Sequence, residues 1–292
     1  MIKGSVVALI TPFLNNGKIN YKKVKELLDF QLNNNTDGIL LFGTTGEGST
    51  LSLKEKYYLS KLAIRHVKNK VKIILNVGTN STSETLRNIK KLEKLNPDAF
   101  LVITPYYNKT NEEGMYHHFK TIHDYTRIPL IIYNVPSRTN VDMSLSLIKR
   151  LSKLERVVGI KEASKDVIKL KELSTIQNDA FYWYSGNDER MIEDIKLGAK
   201  GLIGVCTNTH PGIVKKIINF SLNDNDEESE KIFLKIKEYV NVLSLDINPI
   251  PIKEAMNILK FDVGKYRLPL FETSDKNKMK IKKILGEIKI WI

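Results

Sequence analysis

The sequence predicts a (β/α)₈ TIM barrel, an α/β fold, followed by a C-terminal helical extension. Short apolar segments alternate with longer amphipathic ones along most of the 292 residues, as in consecutive βα units around a parallel sheet. Eight strand segments separated by helices favour a closed barrel over an open sheet. After the eighth strand the periodicity becomes purely helical. We therefore predict a barrel domain over residues 1–222 and a helical domain over residues 223–292.

Each predicted strand is a short run of apolar or β-branched residues that ends at a polar or glycine-containing segment. In chain order the strands are predicted over Ser5–Ile10, Gly38–Phe42, Lys72–Val77, Ala99–Thr104, Leu130–Asn134, Val157–Glu162, Phe181–Ser185 and Gly201–Cys206. Consecutive βα units of this length place all eight strands side by side in one parallel sheet.

The helical segments between the strands each carry an apolar stripe. In the first, Val24, Leu27 and Leu28 recur at helical spacing, and Asn20 precedes them as an N-cap. After the last strand, one helix closes the barrel and about three more follow it. These helices are predicted over Ile213–Phe220, Glu227–Leu245, Ile252–Leu259 and Lys276–Ile290, with the acidic run Asn223–Glu230 and the Pro249/Pro251 pair as breaks.

The formal net charge of +13 comes from 38 lysines and only 8 arginines, set against 33 acidic residues. Recognition of phosphates and base edges favours the bidentate guanidinium of arginine over the lysine ammonium. The lysines are also spread over most predicted helices, so they indicate solvated helix faces. We expect no nucleic-acid partner, although a positive field can steer anionic substrates.

The amino terminus and the cysteine content predict a soluble cytoplasmic protein. The single cysteine, Cys206, excludes an intramolecular disulfide, fits a reducing compartment, and is expected to be a small core residue. The apolar run in MIKGSVVALITPF has no small-residue cleavage site, so it is interpreted as the first strand. No apolar stretch approaches the ~20 residues that a membrane-spanning helix needs.

Unusual residues gather where four of the predicted strands end. In a parallel barrel the loops after the carboxyl ends of the strands form the mouth, and reactive groups lie there. The loops are GTTGEG (Gly43–Gly48), TPYYN (Thr104–Asn108), YNVPSRT (Tyr133–Thr139) and GIKEAS (Gly159–Ser164). We therefore expect the functional site at this mouth.

Lys161 lies where an apolar strand enters the mouth. Partial desolvation there lowers the pKa of an amine and frees its lone pair to attack a ketone, as a Schiff-base nucleophile must. An isolated lysine at a strand end more commonly reaches solvent or pairs with a neighbour such as Glu162. Period-two alternation puts Gly159 on the same face, where it would leave space beneath the amine.

The neighbouring loops favour the reactive interpretation of that lysine. Tyr133 supplies a phenol for proton transfer, although alone it would be an ordinary core residue. Thr44 and Thr45 offer hydroxyl and amide N–H groups for a small carboxylate, with an ordinary glycine-rich turn as the alternative. Arg138 offers a bidentate clamp for a carboxylate, or is a surface arginine.

Other chemistries lack their residues in this sequence. The five histidines show no metal-ligand spacing, and the HHFKTIH run on a predicted helix is expected on a solvated flank. The glycine loop is neither a P-loop nor a dinucleotide fingerprint, and no GxSxG occurs. Pyridoxal phosphate also uses a lysine imine, but the sequence has no dedicated phosphate cup. We therefore expect neither a metal nor a cofactor.

These four loops, in this order, resemble the signature loops of the dihydrodipicolinate synthase family, within the N-acetylneuraminate lyase superfamily of class I pyruvate aldolases. The likeness extends over essentially the whole chain, from GSVVALITPF through GLIGV to NPIPIKEA and YRLPL. It implies condensation of pyruvate with L-aspartate 4-semialdehyde, the first committed step of diaminopimelate and lysine biosynthesis. It also implies a homotetramer built as a dimer of dimers.

The resemblance further implies a role for each motif residue. Lys161 would form the imine with pyruvate, and a tyrosine from a neighbouring subunit would complete a proton relay. The implied catalytic residues are Lys161, Tyr133, Thr44 and Tyr107, and the implied substrate-binding residues are Thr45, Arg138 and the Ile203 carbonyl.

Regulation by lysine is common in this family, at a cleft in the dimer interface. The positions that match this cleft are Ser49, Lys56, Asn80, Glu84 and Tyr106. Sensitive members commonly have histidines where this chain has Leu53 and Lys56, and a cation at position 56 disfavours a second cation nearby. We therefore predict weak or absent inhibition by lysine.

Two alternative functions are weighed against the synthase. A retro-aldol lyase of a longer 2-keto sugar acid would share the lysine, the tyrosine and a related glycine loop. Arg138 and the second threonine of GTTGEG favour the synthase over this lyase. The basic charge also permits a nucleic-acid-binding protein that retains a barrel, but no other feature of the sequence supports it.

Overall fold

The computed structural model describes residues 2–288, and within them eight parallel strands form a closed barrel. The strands pair in chain order, and the last pairs with the first to close the ring. They are β1 Gly4–Ala8, β2 Gly38–Leu41, β3 Lys72–Asn76, β4 Ala99–Ile103, β5 Leu130–Asn134, β6 Val157–Glu162, β7 Tyr182–Ser185 and β8 Gly201–Gly204. The predicted fold class is confirmed.

The strand bounds agree with the sequence patterns to within one or two residues. β5 and β6 have the predicted bounds, and most differences lie at carboxyl ends, where the chain leaves the sheet for the mouth loops. Phe42, predicted as the last residue of β2, has a φ of +63°. Because this left-handed conformation cannot continue a β ladder, the strand ends one residue earlier.

Helices cover the outside of the barrel, except for one short helix over Pro136–Thr139, which lies in the mouth loop after the fifth strand. They are α1 Tyr21–Asn33, α2 Leu53–Val67, α3 Thr82–Leu92, α4 Glu112–Tyr125, α5 Pro136–Thr139, α6 Leu145–Leu151, α7 Val167–Ile176, α8 Met191–Lys196 and α9 Pro211–Leu222. Asn20 caps α1 as predicted, because its side chain accepts a hydrogen bond from the Lys23 amide. A capping box between Ser52 and Glu55 starts α2 directly after the GTTGEG loop.

The extension consists of α10 Asp226–Val242, α11 Ile250–Ile258 and α12 Asp275–Ile288. The prediction that the acidic run Asn223–Glu230 separates two helices over its whole length is wrong, because only residues 223–225 of this run lie outside helices. Asn225 caps α10, and the acidic side chains of its first turn face the positive end of the helix dipole. The last two residues of the predicted final helix, 289 and 290, lie outside the described residues.

The apolar core has two layers, one inside the barrel and one between the strands and the helices. Tyr239, Met256 and Leu285 of the extension belong to the outer layer and pack with barrel residues. Cys206 is fully buried, which confirms its expected place in the core. The predicted domain boundary coincides with the end of α9 at Leu222 and stays a prediction, since barrel and extension share one core.

Candidate active site

A cavity of about 640 Å³ opens at the carboxyl ends of the strands. Five predicted site residues line it, namely Thr44, Thr45, Tyr133, Arg138 and Lys161. The extension also contributes lining residues, which are Val240, Leu243, Ser244, Asp246, Ile247 and Asn248. The cavity therefore lies between the barrel mouth and the extension, so the extension is part of the site.

Lys161 and Tyr133 are direct neighbours across the β5–β6 ladder. The Lys161 Nζ lies 4.6 Å from the centroid of the Tyr133 ring, and both side chains are nearly buried, at 6% and 7% exposure. The interpretation of Gly159 as space beneath the amine is wrong. A Cβ there would lie 2.5 Å from the Tyr182 carbonyl oxygen and 3.1 Å from the Tyr184 ring, so neighbouring atoms already occupy that space.

The pKa values of the amine and the phenol move in opposite directions, and both shifts come mainly from burial. Desolvation lowers the pKa of Lys161 to about 8, with the nearby Asp188 carboxylate opposing the shift and the Arg138 guanidinium adding to it. Desolvation raises the pKa of Tyr133 to about 12, although Arg138 and a hydrogen bond with Thr44 oppose this. At neutral pH roughly a tenth of the amine is uncharged while the phenol keeps its proton.

This lowered pKa predicts how imine formation depends on pH. Only the uncharged amine attacks a ketone, so the trapping rate with pyruvate should rise as pH increases through about 8 and then level off. The measurement is single-turnover trapping of the imine with borohydride across a pH series. A rate that stays flat between about pH 6 and about pH 9 would contradict the assignment.

A buried polar network on the outer side of the barrel fixes the same two strands. Asn134 and Glu162 follow Tyr133 and Lys161, and they are also partners across the ladder. The Asn134 Nδ2 donates to the Glu162 carboxylate at 2.9 Å, and the Lys169 ammonium lies 3.4 Å from it. Since these three side chains are buried, the network holds the amine and the phenol in register.

The GTTGEG loop is a tight turn that leaves no room for side chains at Gly46 and Gly48. A Cβ at Gly48 would lie 1.9 Å from the Phe42 carbonyl oxygen. Thr45 is buried, and its hydroxyl oxygen accepts a hydrogen bond from the Asn248 Nδ2 at 3.0 Å. Thr44 is half-buried and hydrogen-bonds to Tyr133, so the loop connects to the phenol on one side and to the extension on the other.

Asp188, which lines the cavity, is a residue that sequence reasoning missed. Its carboxylate accepts hydrogen bonds from the amides of Val205 and Cys206 and from the Cys206 thiol at 3.0 Å. Burial raises the pKa of Asp188, and its charge acts on the Lys161 ammonium. The sequence carries a signal for Asp188, because the loop that begins with Gly186 follows β7 just as the four motif loops follow their strands.

The remaining predicted site residues have different surroundings. Arg138 is exposed at the cavity rim and donates to the Asn248 carbonyl at 3.2 Å. Ile203 is fully buried inside the barrel and is not among the cavity-lining residues. Tyr107 is 92% exposed with a φ of +69° and does not line this cavity.

Most residues of the predicted regulatory set line a second cavity of about 620 Å³. They are Ser49, Lys56, Glu84 and Tyr106, whereas Asn80 is not among the lining residues. Burial lowers the pKa of Lys56, and the nearby Glu84 carboxylate opposes this shift. Thr44 and Arg138 line both cavities, so the two cavities adjoin at these loops.

The histidine run on α4 is not solvated as predicted. His117 is exposed, but His118 and His123 are buried. The His118 Nδ1 lies 2.8 Å from the Thr82 hydroxyl oxygen, and desolvation lowers the pKa of His118 to about 4. Because a helix buries positions three and four residues apart, His118 and His123 lie on the same buried face as Met115, Phe119 and Ile122 and contribute to packing between helices.

Residues 2–288 lack both a cluster of metal-ligating side chains and a membrane-spanning helix. No group of three or more histidine, cysteine, aspartate or glutamate side chains there has a metal-binding arrangement. No helix in the same part of the chain is long and apolar enough to cross a bilayer.

A closed βα barrel whose mouth holds a desolvated lysine beside a phenol and a hydroxyl-rich glycine loop has the groups that a class I aldolase uses to form a lysine Schiff base. The family model described as "Dihydrodipicolinate synthetase family" matches residues 1–288. The chain therefore belongs to the dihydrodipicolinate synthetase family.

Individual relatives agree with this family. The chain is 41% identical over 277 residues to the 4-hydroxy-tetrahydrodipicolinate synthase of Clostridium perfringens, covering 95% of each sequence. It is 36% identical to the chloride-inhibited dihydrodipicolinate synthase of Acinetobacter baumannii in complex with pyruvate, with a TM-score of 0.97 over 99% of this chain and 100% of that one. A monomeric dihydrodipicolinate synthase variant is 34% identical, with a TM-score of 0.96 over 99% and 97% of the two chains.

Proposed function

We propose that this chain condenses pyruvate with L-aspartate 4-semialdehyde to give 4-hydroxy-tetrahydrodipicolinate, the first committed step of diaminopimelate and lysine biosynthesis. The observation that carries the proposal is the buried amine of Lys161 beside the Tyr133 ring, with its pKa lowered to about 8. This is the environment that a lysine needs to form an imine with a ketone near neutral pH.

The reaction begins when the uncharged Lys161 Nζ attacks C2 of pyruvate. The resulting carbinolamine loses water to give a protonated imine, and loss of a proton from the pyruvate methyl group gives an enamine. Tyr133 and Thr44, which share a hydrogen bond, transfer the protons in these steps. The enamine carbon then bonds to the aldehyde carbon, and attack of the semialdehyde amine on the imine carbon releases the cyclic product and the lysine.

The two substrates are held by their carboxylates. The Thr45 hydroxyl and amide bind the pyruvate carboxylate in the cavity, and the Ile203 carbonyl, which the family resemblance also implies, lies inside the barrel and outside the cavity lining. Arg138 at the rim binds the carboxylate of the semialdehyde, since a guanidinium offers two parallel donors to a carboxylate. Exposure of Arg138 at the cavity rim suits a residue that contacts the second substrate after pyruvate has bound.

Tyr107 completes the proton relay only if a second copy of the chain supplies it. Its side chain is 92% exposed and lies outside the cavity of its own chain. We therefore propose a homo-oligomer in which paired subunits exchange this tyrosine, with a homotetramer as the complete assembly. We also propose that the enzyme is located in the cytoplasm.

A retro-aldol lyase acting on longer 2-keto sugar acids is the alternative that an assay must separate. We expect turnover of pyruvate with aspartate semialdehyde and no cleavage of N-acetylneuraminate. Arg138→Ala should raise the KM for the semialdehyde by about 10- to 100-fold, the loss expected for charge-assisted hydrogen bonds, with a smaller effect on the KM for pyruvate. Cleavage of the sugar acid without synthase activity would contradict the proposed substrate pair.

Free lysine should inhibit this enzyme weakly or not at all. Lys56 extends a cation into the second cavity near Glu84, the carboxylate that an incoming ammonium group would otherwise meet. Steady-state rates measured over a lysine series should therefore remain close to the uninhibited rate. Strong inhibition by submillimolar lysine would show that this prediction is wrong.

A further inference from the structure

A completely buried ion pair connects the extension to the GTTGEG loop. Glu47 of the loop and Lys253 of α11 have side chains with 0% exposure, and the Lys253 Nζ lies 2.8 Å from the Glu47 Oε1. The other carboxylate oxygen, Oε2, accepts a hydrogen bond from the Arg267 amide at 3.0 Å. Both oxygens of the loop carboxylate are therefore held by the extension.

Lys253 is also connected to the loop through hydrogen bonds of Thr11. Its Nζ donates to the carbonyl oxygen of Thr11 at 3.2 Å, and the Thr11 hydroxyl donates to the Gly46 carbonyl at 2.6 Å. The ammonium lies 4.6 Å from the centroid of the Phe13 ring. The cation is thus satisfied on several sides, as a fully buried charge must be.

Glu47 is also hydrogen-bonded to Thr44, one of the two loop threonines that are proposed to act on the substrate. The Glu47 amide donates to the Thr44 carbonyl at 3.1 Å, and Glu47 itself has a left-handed φ of +51°. Asn248, two residues before α11, donates to the Thr45 hydroxyl oxygen. Thr45 is therefore hydrogen-bonded directly to the segment of the extension that carries Lys253, and Thr44 is connected to that segment through Glu47.

An ion pair buried to this degree is a poor source of net stability, because desolvation offsets most of the attraction between its charges. What such a pair supplies is a fixed geometry between two elements. We propose that the Glu47–Lys253 pair is a positioning element for the pyruvate cradle, by which we mean Thr44 and Thr45. The pair sets the location of these two threonines by fixing their loop to the extension. This inference rests on the proposed role of those threonines.

The test compares Glu47→Gln with the double variant Glu47→Gln/Lys253→Met in the full-length enzyme. Glutamine keeps the volume and an acceptor oxygen but leaves the buried Lys253 ammonium without a counter-charge, whereas the double variant leaves no uncompensated charge in the interior and is therefore designed to fold. Misplacement of the cradle should raise the KM for pyruvate about 10-fold or more. Borohydride trapping at saturating pyruvate should still label Lys161, because the amine lies on a different strand.

Lys215→Met is the matched control. Lys215 pairs with Asp37, which precedes β2 at the amino-terminal end of the barrel, away from the cradle. This variant should lower the Tm and leave the KM for pyruvate unchanged. A folded Glu47→Gln or double variant with a wild-type KM for pyruvate would overturn the inference, whatever its Tm. Failure of the proposed function would instead appear in the wild-type enzyme, as absent turnover or labelling of another lysine.

Discussion

Replacement of Lys161 by alanine should abolish synthase activity, with kcat falling about 10⁴-fold or more while the protein remains folded. The amine is the only proposed nucleophile, and neither the phenol nor the threonine loop can form the imine without it. Alanine removes a side chain that is 6% exposed and lies in a cavity, so the fold should tolerate the change. The measurement is kcat in a coupled assay, with circular dichroism to verify folding.

Lys171→Ala is the matched control for this variant. Lys171 lies on α7, in the same βα unit, and its side chain is exposed on the outside of the barrel. Its removal should leave kcat and KM at the wild-type values. Full synthase activity in Lys161→Ala would exclude Lys161 as the Schiff-base nucleophile of this enzyme.

Tyr133→Phe should lower kcat by about 10²- to 10⁴-fold, the range expected when a positioned proton-transfer group is lost. The ring still packs beside Lys161, so the variant removes the hydroxyl and little else. The imine should form slowly and should still be trapped at Lys161 after long incubation with pyruvate. This pattern separates a proton-relay residue from one that only supports the barrel.

Tyr184→Phe provides a comparison at a similarly buried phenol. The Tyr184 hydroxyl donates to the Ile2 carbonyl at 2.9 Å inside the barrel, and Tyr184 pairs with Lys161 across the β6–β7 ladder. Losing this hydrogen bond should cost about 1 kcal/mol of stability and leave kcat nearly unchanged. Equal losses of kcat in the two variants would contradict a specific role for Tyr133.

The barrel and the inward side chains of β5 and β6 were predictable because both depend on local periodicity. Alternation along a strand fixes which residues face inward, so the sequence alone predicted that Lys161 and Tyr133 both point into the barrel mouth, and the two are paired across the ladder. The buried histidines of α4 were mispredicted because their burial depends on the helices packed against them. Sequence alone does not give that packing.

The contribution of the extension to the site was not predictable in the same way. Asn248 and Lys253 lie about 200 residues after the loop that they hold, and no periodicity links the two segments. Their positions follow from how α10 and α11 pack on the barrel, which is a tertiary property. Asp188 differs from them, since the rule that reactive groups follow strand ends would have found it after β7.

The measurement that tests the central claim most directly is incubation of the wild-type enzyme with pyruvate and borohydride, followed by peptide mass mapping. We expect one reduced pyruvate adduct per chain, on the peptide that contains Lys161, and no adduct in Lys161→Ala. An active enzyme that carries the adduct on a different lysine, or that carries none, would contradict the assignment of Lys161 as the nucleophile.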